Sequence, residues 1–161
     1  MQVKSFKPVL DKKTEIFIIG TMPSVDSLKE SRYYAHVQNA FWPFMKEILE
    51  IERYDYFALL KHKIGLWDSL KTCQRQGSLD SSIKNKVFND FSKYPQIKYY
   101  LFTSKNAYNY FIQNKANKEL LTKDNYAVLP SPSPTYARMP KSEKLKIWQR
   151  TFSKILKQIQ S

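Results

Sequence analysis

Two stretches of this sequence concentrate the side chains that could do chemistry. The first opens with GTMPS (Gly20–Ser24) and continues to YYAHVQNAFWPFM (Tyr33–Met45). The second is LPSPSPTYAR (Leu129–Arg138). Both are built from hydroxyls, amides, aromatic rings and prolines, groups that hydrogen-bond, stack and position. Metal chemistry is disfavoured. Cys73 is the only cysteine, and the two histidines, His36 and His62, sit in unrelated segments. No CxxC, HxH or HExxH spacing results. A single cysteine also excludes an internal disulfide and a cysteine-held iron–sulfur cluster. Gly20, Gly65 and Gly77 are the only glycines and form no Walker or GxGxxG loop, which disfavours nucleotide cofactors. No cofactor and no metal are expected.

The two stretches need a scaffold to hold them. TEIFIIG (Thr14–Gly20) is a short apolar run closed by glycine and predicts a buried strand. Thr21 to Trp42 is long, polar and aromatic without clear periodicity, and loops of that length in compact domains are usually functional. Pro43–Glu52 predicts a helix with proline in its first turn, and Tyr54–Lys61 a second. Lys63–Leu70 predicts a strand entering a loop, and Asp80–Tyr94 a helix. Lys98–Thr103 predicts a strand, followed by a helix over Lys105–Asn114 that Ser104 would cap. Tyr126–Leu129 predicts a last short strand, and Ser142–Ile159 a closing helix with Leu145, Trp148, Phe152, Ile155, Leu156 and Ile159 at helical spacing.

Alternating strands and helices predict an α/β fold, a three-layer α/β/α sandwich with a short, mostly parallel sheet. Ligands in such folds bind at the carboxyl ends of the strands. Both unusual loops, Thr21–Trp42 and Pro130–Pro140, leave from such ends and are expected to face each other on one rim.

A chain of 161 residues with 42% apolar and 15% aromatic content can bury one continuous core, so residues 1–161 are expected to form a single domain. No apolar run has the length of a membrane span, and the N-terminus carries no signal-peptide pattern. A cytoplasmic protein without membrane contact is expected, nucleoid-associated in a bacterial cell. The net charge of +13 points to a polyanionic partner, most simply nucleic acid. The charge is mostly lysine, beside many Asn, Ile and Tyr. An AT-rich genome writes such a surface regardless of function, so charge alone leaves both readings open.

GTMPS, YYAH, NAFWP, GLWDSL, GSLDSSI and LPSPSP, in this order over roughly Ile16 to Arg150, resemble the uracil-DNA glycosylase superfamily. The match is to its hypoxanthine-DNA glycosylase branch, with mismatch-specific uracil glycosylases more distant. The resemblance implies a monofunctional, metal-independent enzyme of base excision repair. It would flip a deaminated base from DNA and hydrolyse the N-glycosidic bond, with hypoxanthine the first-choice base and uracil the second. The partner is DNA containing a deaminated base, and the protein is expected to act as a monomer. No lysine is obviously placed as a nucleophile for strand cleavage. A different class of reading, a catalytically degenerate nucleic-acid-binding protein on the same fold, stays open.

The resemblance also assigns residues. Met22 stands where many members carry the polar residue that handles the attacking water; in the similar branch a later Asn, here Asn39, takes that role. Cleavage passes through an oxocarbenium-like sugar and needs a positioned water more than a strong base, which a neutral amide can supply. The alternative for Asn39 is a cap on the following helix. Tyr34 matches the aromatic that stacks on the extruded base, with plain core packing as its alternative. Gly20, Thr21, Met22 and Pro23 would form the turn under the base, and Ser24 and Ser27 could donate to a phosphate. Ser131 stands where many members have a histidine that stabilises the leaving base; serine cannot carry that charge. Ser133 and Pro134 would grip the phosphate backbone, with Tyr136 as the plug in the duplex and Arg138 as a phosphate or orphan-base contact. His36 and Trp67 are read as structural, and Asp68 as a buried, hydrogen-bonded loop anchor. Two departures stand out. His36-Val37-Gln38-Asn39 replaces the usual His-Pro-Arg-Asn, and Thr103-Ser104-Lys105 replaces the usual Asn-Gly or Gly-Lys.

Overall fold

Strand β2 (Ile16–Gly20) organises the molecule. Every residue in it is buried, and its side chains alternate between two cores. Ile16 and Ile18 enter one apolar cluster, and Phe17 and Ile19 enter another on the opposite face. A strand buried on both faces reads as a continuous apolar run, as a central parallel strand must. A computed structural model describes residues 1–160, of which the side chain of Gln160 is not described.

Four parallel strands form the main sheet in the order β3-β2-β6-β7, with β3 Ile64–Asp68, β6 Tyr99–Phe102 and β7 Tyr126–Val128. The register pairs Gly20 with Asp68 and Ile19 with Phe102, so the carboxyl ends of β3, β2 and β6 meet on one rim. One face is covered by α2 (Phe41–Leu49) and α6 (Lys141–Gln160), through Phe41, Phe44, Trp148 and Phe152. The other is covered by α4 (Lys105–Gln113), through Ala107 and Phe111. The three-layer α/β/α expectation holds. The N-terminal strand β1 (Gln2–Lys4) pairs with β4 (Leu70–Gln74), which pairs with β5 (Lys84–Phe88), in a small antiparallel sheet.

The predicted helices and strands around the sheet form, with small shifts at their ends. Pro43 lies in the first turn of α2, where its missing N–H costs nothing. Asp55 caps α3 (Tyr56–Lys61), and Ser104 caps α4 by accepting from the Ala107 N–H. A short α5 (Lys115–Lys118) follows α4.

The fold departs from expectation in three places. The stretch Asp80–Tyr94 is not a helix. It holds two single 3₁₀ turns, Asp80–Ser82 and Phe91–Lys93, around β5. β4 needs an antiparallel partner, and β5 supplies it with irregular register while its side chains from Lys84 to Val87 stay exposed. Such a strand has no buried face to print a two-residue period on the sequence, so tertiary pairing decides it. Second, β4 and β1 were not expected; β4 follows β3 after one residue, Ser69. Third, a six-residue helix, α1 (Val25–Glu30), interrupts the long loop after β2. It is too short for a periodic apolar face, and its Ser24 cap carries it.

Trp148 joins core and rim: it is fully buried, and its indole N–H donates to the Pro130 carbonyl at 2.9 Å. Trp148→Ala is expected to lower unfolding stability by about 3–5 kcal/mol, read by urea denaturation. A loss under about 1 kcal/mol would remove Trp148 from the core.

Candidate active site

The two loops meet. All twelve residues assigned from the sequence (Gly20, Thr21, Met22, Pro23, Ser24, Tyr34, Asn39, Ser131, Ser133, Pro134, Tyr136 and Arg138) line one cavity of about 990 Å³ at the carboxyl ends of the parallel strands. That volume is at the upper end for small-ligand sites. Asp68, Arg75, Asp80, Thr103 and Lys105 line it as well and were not predicted to.

The turn after β2 forms one wall. The Gly20 and Thr21 carbonyls accept from the Ser69 and Leu70 N–H groups, at 2.8 and 3.2 Å. Arg75, only 3% exposed, clamps the turn from behind, donating to the Pro23 carbonyl at 2.6 Å and the Gly77 carbonyl at 2.7 Å. Met22 is buried in a third apolar cluster with Val3, Leu70, Cys73 and Ile83. That side chain therefore anchors the turn in the core. Ser24 and Ser27 serve the loop. The Ser24 hydroxyl accepts from the Ser27 N–H and donates to the Ser27 hydroxyl, which in turn accepts from the Ala35 N–H.

Tyr34 sits in the left-handed region at φ 55°, a conformation that costs a non-glycine residue about 1–2 kcal/mol. The strain has a result: its ring stacks on Phe41, centroids 4.0 Å apart and planes 18° apart, and its tip reaches Gly20. Burial pushes the Tyr34 phenol far above its ordinary value, with the Asp68 charge adding to it and the nearby Thr103 hydroxyl offsetting a little. The Tyr34 hydroxyl nevertheless meets no partner at hydrogen-bond geometry among the described residues.

Asn39 fills the capping alternative while facing the cavity. Ala40 holds the N-cap position of α2 without a side-chain bond; the Asn39 Oδ1 accepts from the Phe41 N–H at 2.9 Å. That bond fixes which end of the amide is oxygen, and a carbonyl oxygen has a second lone pair. His36 closes the same turn: its Nδ1 accepts from the Gln38 N–H and its carbonyl from the Asn39 N–H.

The opposite wall is the proline loop, held by three outside donors. The Ala40 N–H reaches the Pro132 carbonyl, and the Trp148 indole the Pro130 carbonyl. The Lys144 ammonium reaches the Tyr136 carbonyl at 2.7 Å and the Ser133 carbonyl at 3.3 Å. Lys144 is 5% exposed, lies over the Tyr136 ring, and its burial lowers its pKa. Within the loop the Ser131 hydroxyl accepts from the Ser133 N–H, and Ser133 and Thr135 share a hydroxyl bond. Pro134, Tyr136 and Arg138 remain exposed at the tip.

Asp68 corrects its sequence reading. It is buried, 4% exposed, but its carboxyl is not tied down as an anchor: Oδ2 has no partner among the described residues. The anchoring falls to its backbone, whose carbonyl accepts from the buried Asn89 side chain at 2.8 Å. Desolvation raises the Asp68 carboxyl to about 7, aided by Asp80 and opposed by Arg75. Sequence spacing gave no signal for this, because the pairing of β2 with β3 creates it. The Arg75 clamp had no local signature either.

A family model, the uracil DNA glycosylase superfamily, matches residues 7–157. The chain belongs to this superfamily. A Methanosarcina barkeri protein named hypoxanthine DNA glycosylase is 36% identical over 120 residues, covering 68% of this chain and 76% of that protein. A Methanosarcina acetivorans protein of the same name is 34% identical over 161 residues, covering 92% of this chain and 97% of that protein. A solution NMR structure of a Methanosarcina acetivorans protein, described as a candidate uracil DNA glycosylase, superposes with a TM-score of 0.71 at 31% identity, covering 93% of this chain and 98% of that one. This superfamily member and the Methanosarcina acetivorans protein named hypoxanthine DNA glycosylase match over nearly the whole of both chains. No described helix is long and apolar enough to cross a membrane.

The Asp68 carboxyl also leaves a mark on stability. Its folded pKa is raised to about 7, so between the ordinary carboxyl range and about 7 the folded state binds the extra proton. Its contribution to stability is therefore present at low pH and lost as pH rises toward about 7, with no further change above. Asp68→Asn should be more stable relative to wild type at pH 8 than at pH 5 in urea unfolding. An equal difference at both pH values would show an ordinary, solvated carboxyl.

Proposed function

We propose that this superfamily member is a monofunctional DNA glycosylase of base excision repair. It acts as a monomer and as one domain, with hypoxanthine as its first base and uracil as its second. The observation that carries the reading is the convergence of the Gly20–Ser24 turn, Tyr34, Asn39 and the Ser131–Arg138 loop on one cavity. The relatives named hypoxanthine DNA glycosylase support the choice of base, and the +13 charge suits a DNA substrate.

The mechanism follows from the residues. A base taken out of the stack loses its neighbours and needs a flat apolar face, which the Tyr34 ring backed by Phe41 provides. Gly20 to Pro23 form the floor and wall. Asn39 orients the attacking water through the free lone pair of Oδ1, toward the sugar carbon as the glycosidic bond breaks. Ser133 and Pro134 meet the phosphate backbone, while Tyr136 fills the gap in the duplex beside Arg138. The rigid proline loop lowers the entropy lost on binding. Ser24 contributes less to DNA than its place in the sequence suggests, because its hydroxyl is engaged with Ser27.

The second reading, a binding protein without catalysis, has one specific observation in its favour: part of the Asn39 amide is used to start α2. Oligonucleotides carrying a single deoxyinosine, deoxyuridine or deoxyxanthosine separate the two. The purified protein in EDTA is expected to leave alkali-labile abasic sites, fastest with deoxyinosine. Asn39→Ala should slow release by about 100-fold. Tight, salt-sensitive binding with no release from any substrate would establish the second reading.

A further inference from the structure

The cavity floor holds polar groups that the folded chain leaves unsatisfied. The Asp68 Oδ2 and the Tyr34 hydroxyl are both buried without a partner among the described residues. They belong to one place, because both side chains converge above Gly20. A Cβ added to Gly20 would lie 2.7 Å from the Asp68 Oδ1 and 3.3 Å from the Tyr34 hydroxyl. An unsatisfied buried polar group costs about 1–3 kcal/mol, and two at one point of a ligand cavity mark where a ligand's own polar edge completes the structure.

The charges around Asp68 decide what it offers that edge. Arg75 is the cation nearest in effect, but its guanidinium is spent on the Pro23 and Gly77 carbonyls. Asp80, itself raised by burial, lines the same cavity and disfavours a second negative charge on Asp68. Tyr33 and Tyr34 both feel the Asp68 charge, and His36 and Lys105 line the same cavity. A carboxyl in such a setting keeps its proton up to about pH 7, and a neutral carboxyl is a hydrogen-bond donor.

Ser131 has no charge to lend the departing base, so that help must come from another wall. We propose that Asp68, as a neutral carboxylic acid, donates a hydrogen bond to the carbonyl oxygen of the flipped base and stabilises the negative charge that gathers there as the base leaves. The inference rests on the glycosylase reading given above. As the bond between C1′ and the base nitrogen breaks, its electron pair goes to the base and spreads to the ring carbonyl. The carboxyl proton of Asp68 stays on Asp68 and shortens its bond to that oxygen. A water oxygen bonds to C1′ and releases a proton to solvent, and the released base takes one proton up. Deamination is what creates a carbonyl at this edge, where the parent base carries an amino group. An ionised Asp68 could not donate and would repel the same oxygen.

Single-turnover release of hypoxanthine from a deoxyinosine duplex, followed from pH 5.5 to 8.5, tests this. Wild type is expected to be fastest below about 7 and to fall toward tenfold per pH unit above it. Asp68→Asn keeps an amide donor at every pH. It should be roughly tenfold slower than wild type at pH 6 and lack the alkaline fall, whereas Asp68→Ala should be at least roughly 100-fold slower. Urea midpoints and near-UV circular dichroism of both variants check that they fold. A wild-type rate flat across the range, or an alkaline fall that persists in Asp68→Asn, overturns the proposal and leaves the glycosylase reading intact. Absence of release by wild type at every pH overturns the glycosylase reading, and this one with it.

Discussion

The close approach of β2 and β3 at Gly20 and Asp68 is the constraint on which the site depends. Parallel pairing sets these two residues side by side at the sheet's carboxyl edge. Any side chain at position 20 would meet the Asp68 carboxylate at 2.7 Å. Only glycine lets the strand end, the turn leave and the carboxyl stay in place. The turn that follows can then run beneath the cavity, clamped by Arg75, with Met22 sunk in the core. The glycine is required here by space rather than by backbone conformation.

Around that point the molecule places polar groups where they are costly and holds them with groups that are not available to solvent. Asn89 fixes the end of β3 through the Asp68 and Leu70 carbonyls, and Asn117 closes the network behind it by donating to the Asn89 carbonyl. The Asn89 amide nitrogen and both ends of the Asn117 amide are engaged. Asp68 and Tyr34 are not, and they are the two that face the cavity. A satisfied network next to an unsatisfied pair is the arrangement expected of a rigid site awaiting a ligand. Strain points the same way, since Tyr34 holds a left-handed backbone to lay its ring on Phe41.

The proline loop shows how charge and rigidity combine on the opposite wall of the cavity. Four prolines, Pro130, Pro132, Pro134 and Pro140, limit its freedom before any partner arrives. The ammonium of Lys144, nearly buried and bonded to two loop carbonyls, adds positive charge from beneath. The loop's shape thus depends on α6, the helix that directly follows it. Substitutions in that helix are felt at the cavity.

The sequence by itself determined the layers and the rim. The apolar run Ile16–Ile19, the Ser104 cap and the spaced Leu145, Trp148, Phe152 and Ile155 are local signals of burial and helix, and each formed where its pattern lies. Motif order determined which loops carry the site, because a parallel α/β sheet leaves few places for loops after its strands. The tertiary structure decided the rest. Asp80–Tyr94 became a strand between two turns because β4 needed an edge partner, a demand no residue in that stretch records. Asn39 became both a helix-starting amide and a cavity residue, since the true first residue of α2 depends on packing against the proline loop. Asp68 lost its expected anchoring bonds and gained a raised pKa. Desolvation is a property of everything around a residue, and only the folded chain brings those surroundings together.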